Sequence, residues 1–176
     1  SPEFRGFFFI TMKKKKLNIG IQGVKGSYHH IVSEYYFEEN FYLRECLSFD
    51  HLVEEIIKSN IDKGVMAIEN SIAGSIIPNY ALIDQNELRI VGEIYFKIDH
   101  NLMAVHGEKI ENITEIYSHP MALLQCKSFF SQYPHIRLVE SNDTADEARR
   151  ISKNNLKGIA AIASKEAAKY YNLNIL

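Results

Sequence analysis

The chain has 176 residues, 46% of them hydrophobic, which is enough for one ordinary domain or two small lobes with a core of their own. Its 20 Lys and Arg almost cancel its 22 Asp and Glu, leaving a formal net charge of -2. That balance excludes a field able to hold a nucleic-acid backbone or an anionic membrane, and points to a small molecule or a protein as partner. Two cysteines, Cys46 and Cys126, are too few for a disulfide scaffold and lack metal-ligand spacing, so a reducing cytoplasm is the expected compartment.

Ser1 to Phe4 resembles the remnant of a cloned fusion linker. The apolar run Phe7 to Ile10 precedes Lys13 to Lys16, the reverse of a secretory signal, and no stretch is long enough to span a bilayer. Residues 1–16 are therefore expected to be linker remnant and disordered tail, with Met12 as a plausible natural start.

From Leu17 short apolar runs alternate with amphipathic stretches, a β/α alternation. Strands are predicted at Leu17 to Gln22, Tyr42 to Cys46, Gly64 to Glu69, Leu88 to Ile94, Asn101 to Val105, Glu115 to Ser118, Arg137 to Val139 and Gly158 to Ala163. Helices are predicted at Tyr28 to Phe37, Phe49 to Lys58, Ser75 to Asp84, Pro120 to Tyr133, Thr144 to Lys153 and Lys165 to Tyr171. Leu52, Val53, Ile56 and Ile57 form the expected buried stripe of the second helix, and Leu123, Cys126, Phe130 and Tyr133 that of the fourth. The long apolar run Ile90 to Val105, broken at Lys97 to His100, suits a chain leaving one lobe for another. The first lobe is expected to hold 17–94 plus 164–176 and the second 95–163, with a cleft between them.

Several strand-to-helix joins carry more polar equipment than a turn needs. Gln22 to Ser27 (QGVKGS) can cradle an anion on backbone N–H groups or can be a plain turn capped by Ser27. It has neither the Lys of a phosphate-binding loop nor the third Gly of a dinucleotide fingerprint. Glu69 to Ser75 (ENSIAGS) gathers a carboxylate, an amide, two hydroxyls and a Gly at the end of an apolar strand, where open α/β sheets bind ligands; capping by Ser75 is the alternative. Ser118, His119 and Pro120 open a helix, and an imidazolium there would be disfavoured by the positive helix end, so a neutral His119 is expected, as a cap or as a proton-handling group. Thr144 and Glu147 have capping-box spacing. The other histidines show no paired metal spacing.

Taken together, NIGIQGVKGSYHH, GVMAIENSIAGSI, IVGEIYFKIDHNLMA, IYSHPMALLQC, SNDTADEA and GIAAIASKEAAKYYNLNIL resemble, in order, the blocks of the prephenate dehydratases from about Leu17 to Leu176. The resemblance implies an α/β chain of two lobes, like the type II periplasmic binding proteins, with the active site in the cleft. It implies decarboxylative dehydration of prephenate to phenylpyruvate in phenylalanine biosynthesis, without a metal or organic cofactor, in a homo-oligomer. It would place Ser27, Asn70, Ser71, Gly74 and Ser75 on the substrate from the first lobe. Ser118, His119, Gln125 and Thr144 would face it or support that wall from the second, Gln125 from behind because it lies inside a helix. Candidate catalytic residues are Glu69, His119 and Thr144, with the acid undecided.

The family's Thr-Arg-Phe motif, which supplies its main catalytic hydroxyl and a carboxylate-binding arginine, would fall beyond Leu176, as would the ACT domain that senses phenylalanine. Little or no turnover and exposed apolar surface on the first lobe are therefore expected of these 176 residues. Two other readings stand beside this one: a non-catalytic, small-anion-binding cytoplasmic module of the same fold, and arogenate dehydratase, acting on the aminated analogue.

Overall fold

The computed structural model describes residues 16–38, 40–72 and 74–176, so the reading of residues 1–16 as linker remnant and tail lies, apart from Lys16, outside the described residues. The first half of the chain builds a small parallel sheet. β1 (Leu17–Gln22) leads through α1 (Tyr28–Phe37) to β2 (Phe41–Cys46), and β2 leads through α2 (Phe49–Ile57) to β3 (Lys63–Val65); the sheet order is β2-β1-β3. Cys46, Leu52 and Ile61 form its core, with Phe49, Ile56 and Met66 packed around them. A short antiparallel pair, β4 (Glu69–Asn70) and β5 (Gly74–Ser75), then leads into α3 (Ile77–Gln85).

The second half builds a mixed five-stranded sheet. β6 (Asn101–Ala104), β7 (Glu115–Ser118), α4 (Pro120–Phe130), β8 (Arg137–Glu140), α5 (Thr144–Asn154), β9 (Ile159–Ala163), α6 (Lys165–Tyr170) and β10 (Asn174–Ile175) follow in chain order, and the sheet order is β10-β6-β9-β7-β8. β7 runs parallel to β8 and β9, whereas β6 is antiparallel to β9 and β10. The central strand β9 (IAAIA) is apolar throughout because helices cover both faces. On one face Ile116, Leu123, Phe130 and Ile162 pack with α4. On the other, Met103, Ile151, Ala161 and Ala167 pack with α5 and α6.

The helices start where short polar side chains can take up a free backbone N–H. Ser27, Ser48 and Ser164 accept through Oγ from His30 N, His51 N and Ala167 N at 3.3, 3.1 and 2.9 Å. His119 Nδ1 accepts from Met121 N at 3.2 Å. The cap of α5 is Asp143 and not Thr144: its Oδ1 accepts from Asp146 N at 2.7 Å, while Glu147 pairs with Arg150. Asp143 alone has the extended backbone (φ -148°, ψ 142°) that a cap needs, and Thr144 is already helical.

Other differences from the sequence reading have equally local causes. Leu88 to Ile94 is not a strand; Ile90 and Val91 stay largely exposed, at 59% and 66%, without a ladder partner among the described residues. The third helix begins at Ile77 rather than Ser75, because Ser75 is held by Glu69 in the β4–β5 ladder. On α2, Glu55 is buried where Ile57 was expected; its carboxylate meets Arg44 at 3.2 Å and Asn60 at 3.2 Å, and Ile57 is turned outward. The last thirteen residues, expected in the first lobe, join the second sheet's ladder and core through β10 on β6 and through Ala167, Ala168 and Leu173, while Ser164, Tyr170 and Tyr171 also contact the first half of the chain at Gly26, Glu34 and Lys25.

The two sheets are joined by the 86–100 crossover and by contacts around Gly26. Ser164 Oγ donates to Gly26 O at 2.6 Å and Tyr171 OH donates to Lys25 O, while Val24 enters the core of the second sheet. Gly26 has φ +88°, and a Cβ there would lie 3.0 Å from Ala167 Cα, so this approach needs glycine.

Candidate functional site

Both sheets direct strand ends at one cleft of about 590 Å³. Gln22 is the last residue of β1, and Leu47, Ser48 and Phe49 follow β2. From the other sheet come His119, directly after β7, and Asn142, just past β8. Pro78, Asn79 and Leu82 of α3 close one side. Carboxyl ends of strands facing a shared crevice are where open α/β sheets bind ligands, because the following helices all start there.

Two of those starts lie in the cleft wall: Ser48 caps α2 and His119 caps α4. Each helix N-terminus offers free N–H groups and the positive end of a dipole, about 0.3–1 kcal/mol of attraction for a carboxylate and up to about 2 where partly buried. No Lys or Arg is among the lining residues, and Asp50, in the first turn of α2, brings a negative charge to the same wall. The cleft thus joins helix-start donors to amide and hydroxyl groups, with one carboxylate.

His119 is the group best placed for proton work. Its Nδ1 accepts from Met121 N, so in the neutral ring the proton sits on Nε2. Burial holds the imidazole below the usual histidine value, with the Glu140 carboxylate pulling the other way. Nearby, Asp143 Oδ2 lies against the Gly23 turn: a Cβ on Gly23 would be 2.6 Å from it and 3.4 Å from Ser27 Oγ. Gly23 has φ +100°, so both the backbone and the close approach require glycine. Burial pushes the Asp143 carboxyl above the usual aspartate range, partly offset by the Asp146 amide.

Among the residues singled out from sequence, His119 lines the cleft directly. Ser27 is 3% exposed, beneath the Gly23 turn. Asn70, Ser71, Gly74 and Ser75 form the β4–β5 hairpin leading to the α3 wall, with Asn70 Oδ1 accepting from Ile72 N at 2.8 Å. Glu69 is exposed and pairs with Ser75 in that ladder. Ser118 is fully buried and donates to Ile162 O at 2.7 Å, so its hydroxyl ties β7 to β9. Gln125 meets His100 at 2.8 Å, and Thr144 is the first residue of α5.

Sequence reasoning missed Ser48, Asn79 and Asn142. The strand-then-cap pattern that flagged His119 recurs at ECLSFD and at VESND and could have found two of them. Asn79 gives no such signal: it is buried inside α3, with Nδ2 donating to Ala67 O at 2.7 Å. Among the described residues no group of three or more His, Cys, Asp or Glu could hold a metal ion.

Residues 19–176 match the sequence model of the prephenate dehydratase domain. The chain belongs to the prephenate dehydratase family. It is 38% identical over 161 residues to arogenate dehydratase/prephenate dehydratase 2, chloroplastic, of Arabidopsis thaliana, covering 92% of this chain and 42% of that protein. It is 35% identical over 157 residues to the bifunctional chorismate mutase/prephenate dehydratase of Buchnera aphidicola subsp. Schizaphis graminum, covering 88% and 41%. The fold superposes with a TM-score of 0.82 on the prephenate dehydratase of Arthrobacter aurescens solved in complex with L-Phe, at 23% identity, covering 91% of this chain and 54% of that one. The chain therefore has the α/β fold of its family and spans about two fifths of the length of these curated relatives.

Proposed function

We propose that this chain carries the substrate cleft of a dehydratase in phenylalanine biosynthesis, a carbon–oxygen lyase converting prephenate to phenylpyruvate. The observation that supports this reading most is the convergence of β1, β2, β7 and β8 on one cleft, with the N-termini of α2 and α4 in its walls. Prephenate carries two carboxylates, and helix starts attract such groups without a metal. As the ring carboxylate leaves as carbon dioxide, its bonding electrons enter the ring, the carbon–oxygen bond opposite breaks, and hydroxide departs. That hydroxide needs a proton or a strong hydrogen bond, and the Nε2–H of neutral His119 is the group for it. Ser27, Asn70, Ser71, Gly74 and Ser75 are assigned to substrate by family likeness, and the last four lie in the β4–β5 hairpin that leads into α3, one wall of the cleft. Thr144 is a further catalytic candidate on the same ground, and Glu69 is one as the carboxylate that opens the polar ENSIAGS segment.

A second reading, arogenate as substrate, is favoured by Asp50. Arogenate replaces the side-chain keto oxygen with an ammonium, and a carboxylate in the cleft wall is a partner for it. The two readings part in one experiment: turnover of prephenate and of arogenate by the chain, alone and with any residues its gene encodes after Leu176, following phenylpyruvate by its absorbance in alkali and phenylalanine by chromatography. Asp50→Asn is expected to lower kcat/KM for arogenate about tenfold relative to prephenate. An unchanged ratio removes Asp50 from substrate choice, and no turnover of either compound by either form defeats the dehydratase reading.

A further inference from the structure

Three side chains far apart in sequence meet where the chain passes from the first sheet to the second. Tyr28 is the first residue of α1, His100 ends the crossover just before β6, and Gln125 lies in the middle of α4. Tyr28 OH donates to Asp99 O at 2.7 Å and stands 3.2 Å from His100 Nδ1, while His100 Nε2 stands 2.8 Å from Gln125 Oε1. The Tyr28 and His100 rings also meet edge to face, 5.9 Å between centroids.

With Gln125 Oε1 as an acceptor, His100 Nε2 carries the hydrogen, and Nδ1 faces the phenol as a second, longer-range acceptor that shares with Asp99 O the one hydrogen Tyr28 can donate. Burial, with help from the Asp99 carboxylate, raises the Tyr28 phenol far above its ordinary value and keeps it a donor. Each group is half-buried, so water competes poorly for these bonds.

What the three groups hold is more informative than the bonds themselves. Tyr28 directly follows Ser27, the cap of α1, and Gln125 is on the helix whose cap, His119, lines the cleft. We propose that Tyr28, His100 and Gln125 form a positioning relay that fixes the crossover and sets α4, and with it His119, at the working distance from the first sheet. His100 is the central member, bonded to both sides. The bonds hold the cleft preorganised, so losing one lowers the population of the binding-competent arrangement and raises KM, leaving kcat at saturation nearly intact. The KM consequence rests on the dehydratase reading; the geometric consequence does not.

The test uses the full chain with His100→Leu, Gln125→Leu, their double variant and His100→Gln. Loss of one net hydrogen bond predicts a two- to tenfold higher KM, with kcat changed less than twofold, in His100→Leu and Gln125→Leu. The double variant should be no worse than either single change, because one link is broken in all three. His100→Gln, which keeps a donor for Gln125, should recover most of the loss. Two readouts need no turnover: the nitrogen shifts of His100 should report the Nε2–H tautomer, and small-angle scattering should show a larger radius of gyration for His100→Leu than for the unaltered chain. Lower melting temperatures with unchanged KM and radius would overturn the relay and leave a packing role, as would additive effects in the double variant. If neither substrate is turned over by the unaltered chain, alone or with the residues its gene encodes after Leu176, the dehydratase reading fails, and scattering and tautomer still decide the relay.

Discussion

His119 caps α4 through Nδ1 on the cleft wall, and the proposed mechanism gives its Nε2–H a second task, that of proton donor. The two roles separate by mutation. His119→Ala removes both, and His119→Asn keeps an acceptor for Met121 N but no ring N–H. We expect kcat to fall at least about 10²-fold in both, the lower range for a positioned proton donor, while the Asn variant regains most of the melting temperature lost by the Ala variant. A His119→Asn enzyme within threefold of the parent rate would show the imidazole to be a cap only. At this scale the sequence revealed residue types well and directions poorly. Ser118 and His119 are neighbours in one motif, yet strand alternation sends the Ser118 hydroxyl to Ile162 O inside the sheet and leaves His119 at the cleft.

At the level of elements, the start of α5 shows how a correct signal is misplaced by one residue. SNDT offers four cap-capable side chains in a row, and only backbone geometry picks Asp143. Asp143→Ala should therefore lower stability by about 1 kcal/mol, and Thr144→Ala by a few tenths at most, read as shifts in urea midpoint. Asp143→Asn, an equally good cap, should stay near the parent. Reversal of the Asp143 and Thr144 effects would refute this cap assignment. The sequence placed α1 to the residue: Ser27 caps its start and the chain leaves the helix at Glu38, which is αL. Pattern reading failed at Leu88 to Ile94, where β-favouring residues have no neighbouring strand among the described residues to pair with, and a strand is defined by its partner.

For the whole molecule, acid stability follows from three histidines held below their ordinary values. Burial lowers His29 to about 4, and also lowers His30 and His119. The folded state then binds fewer protons than the unfolded chain between about pH 4 and 6.5, so stability is fully present above 6.5 and is lost as pH falls toward 4. His29, whose Nε2 accepts from Ala67 N at 3.2 Å, contributes at most about 3 kcal/mol, an upper bound because the ring is partly exposed. Asp143, raised by burial, works in the opposite sense, its stabilisation fading as pH rises through its folded value. Urea midpoints from pH 4 to 7.5 should rise with pH and then level, and His29→Gln should flatten the slope. A flat parent profile would show that these rings are not held neutral.

The sequence by itself determined the β/α alternation and the place of all six helices, the strand-to-helix joins that carry polar groups, and the family to which the chain belongs, because local patterning and motif order are properties of one dimension. Which of those joins meet was decided only by tertiary structure. Gln22, Ser48, His119 and Asn142 share a wall because two sheets twist and pack so that their strand ends face each other. The return of β10 to β6, the docking of Gly26 on Ala167 and the link from Tyr28 through His100 to Gln125 all join residues more than twenty positions apart, and distance along the chain says nothing about distance in space until the core has closed.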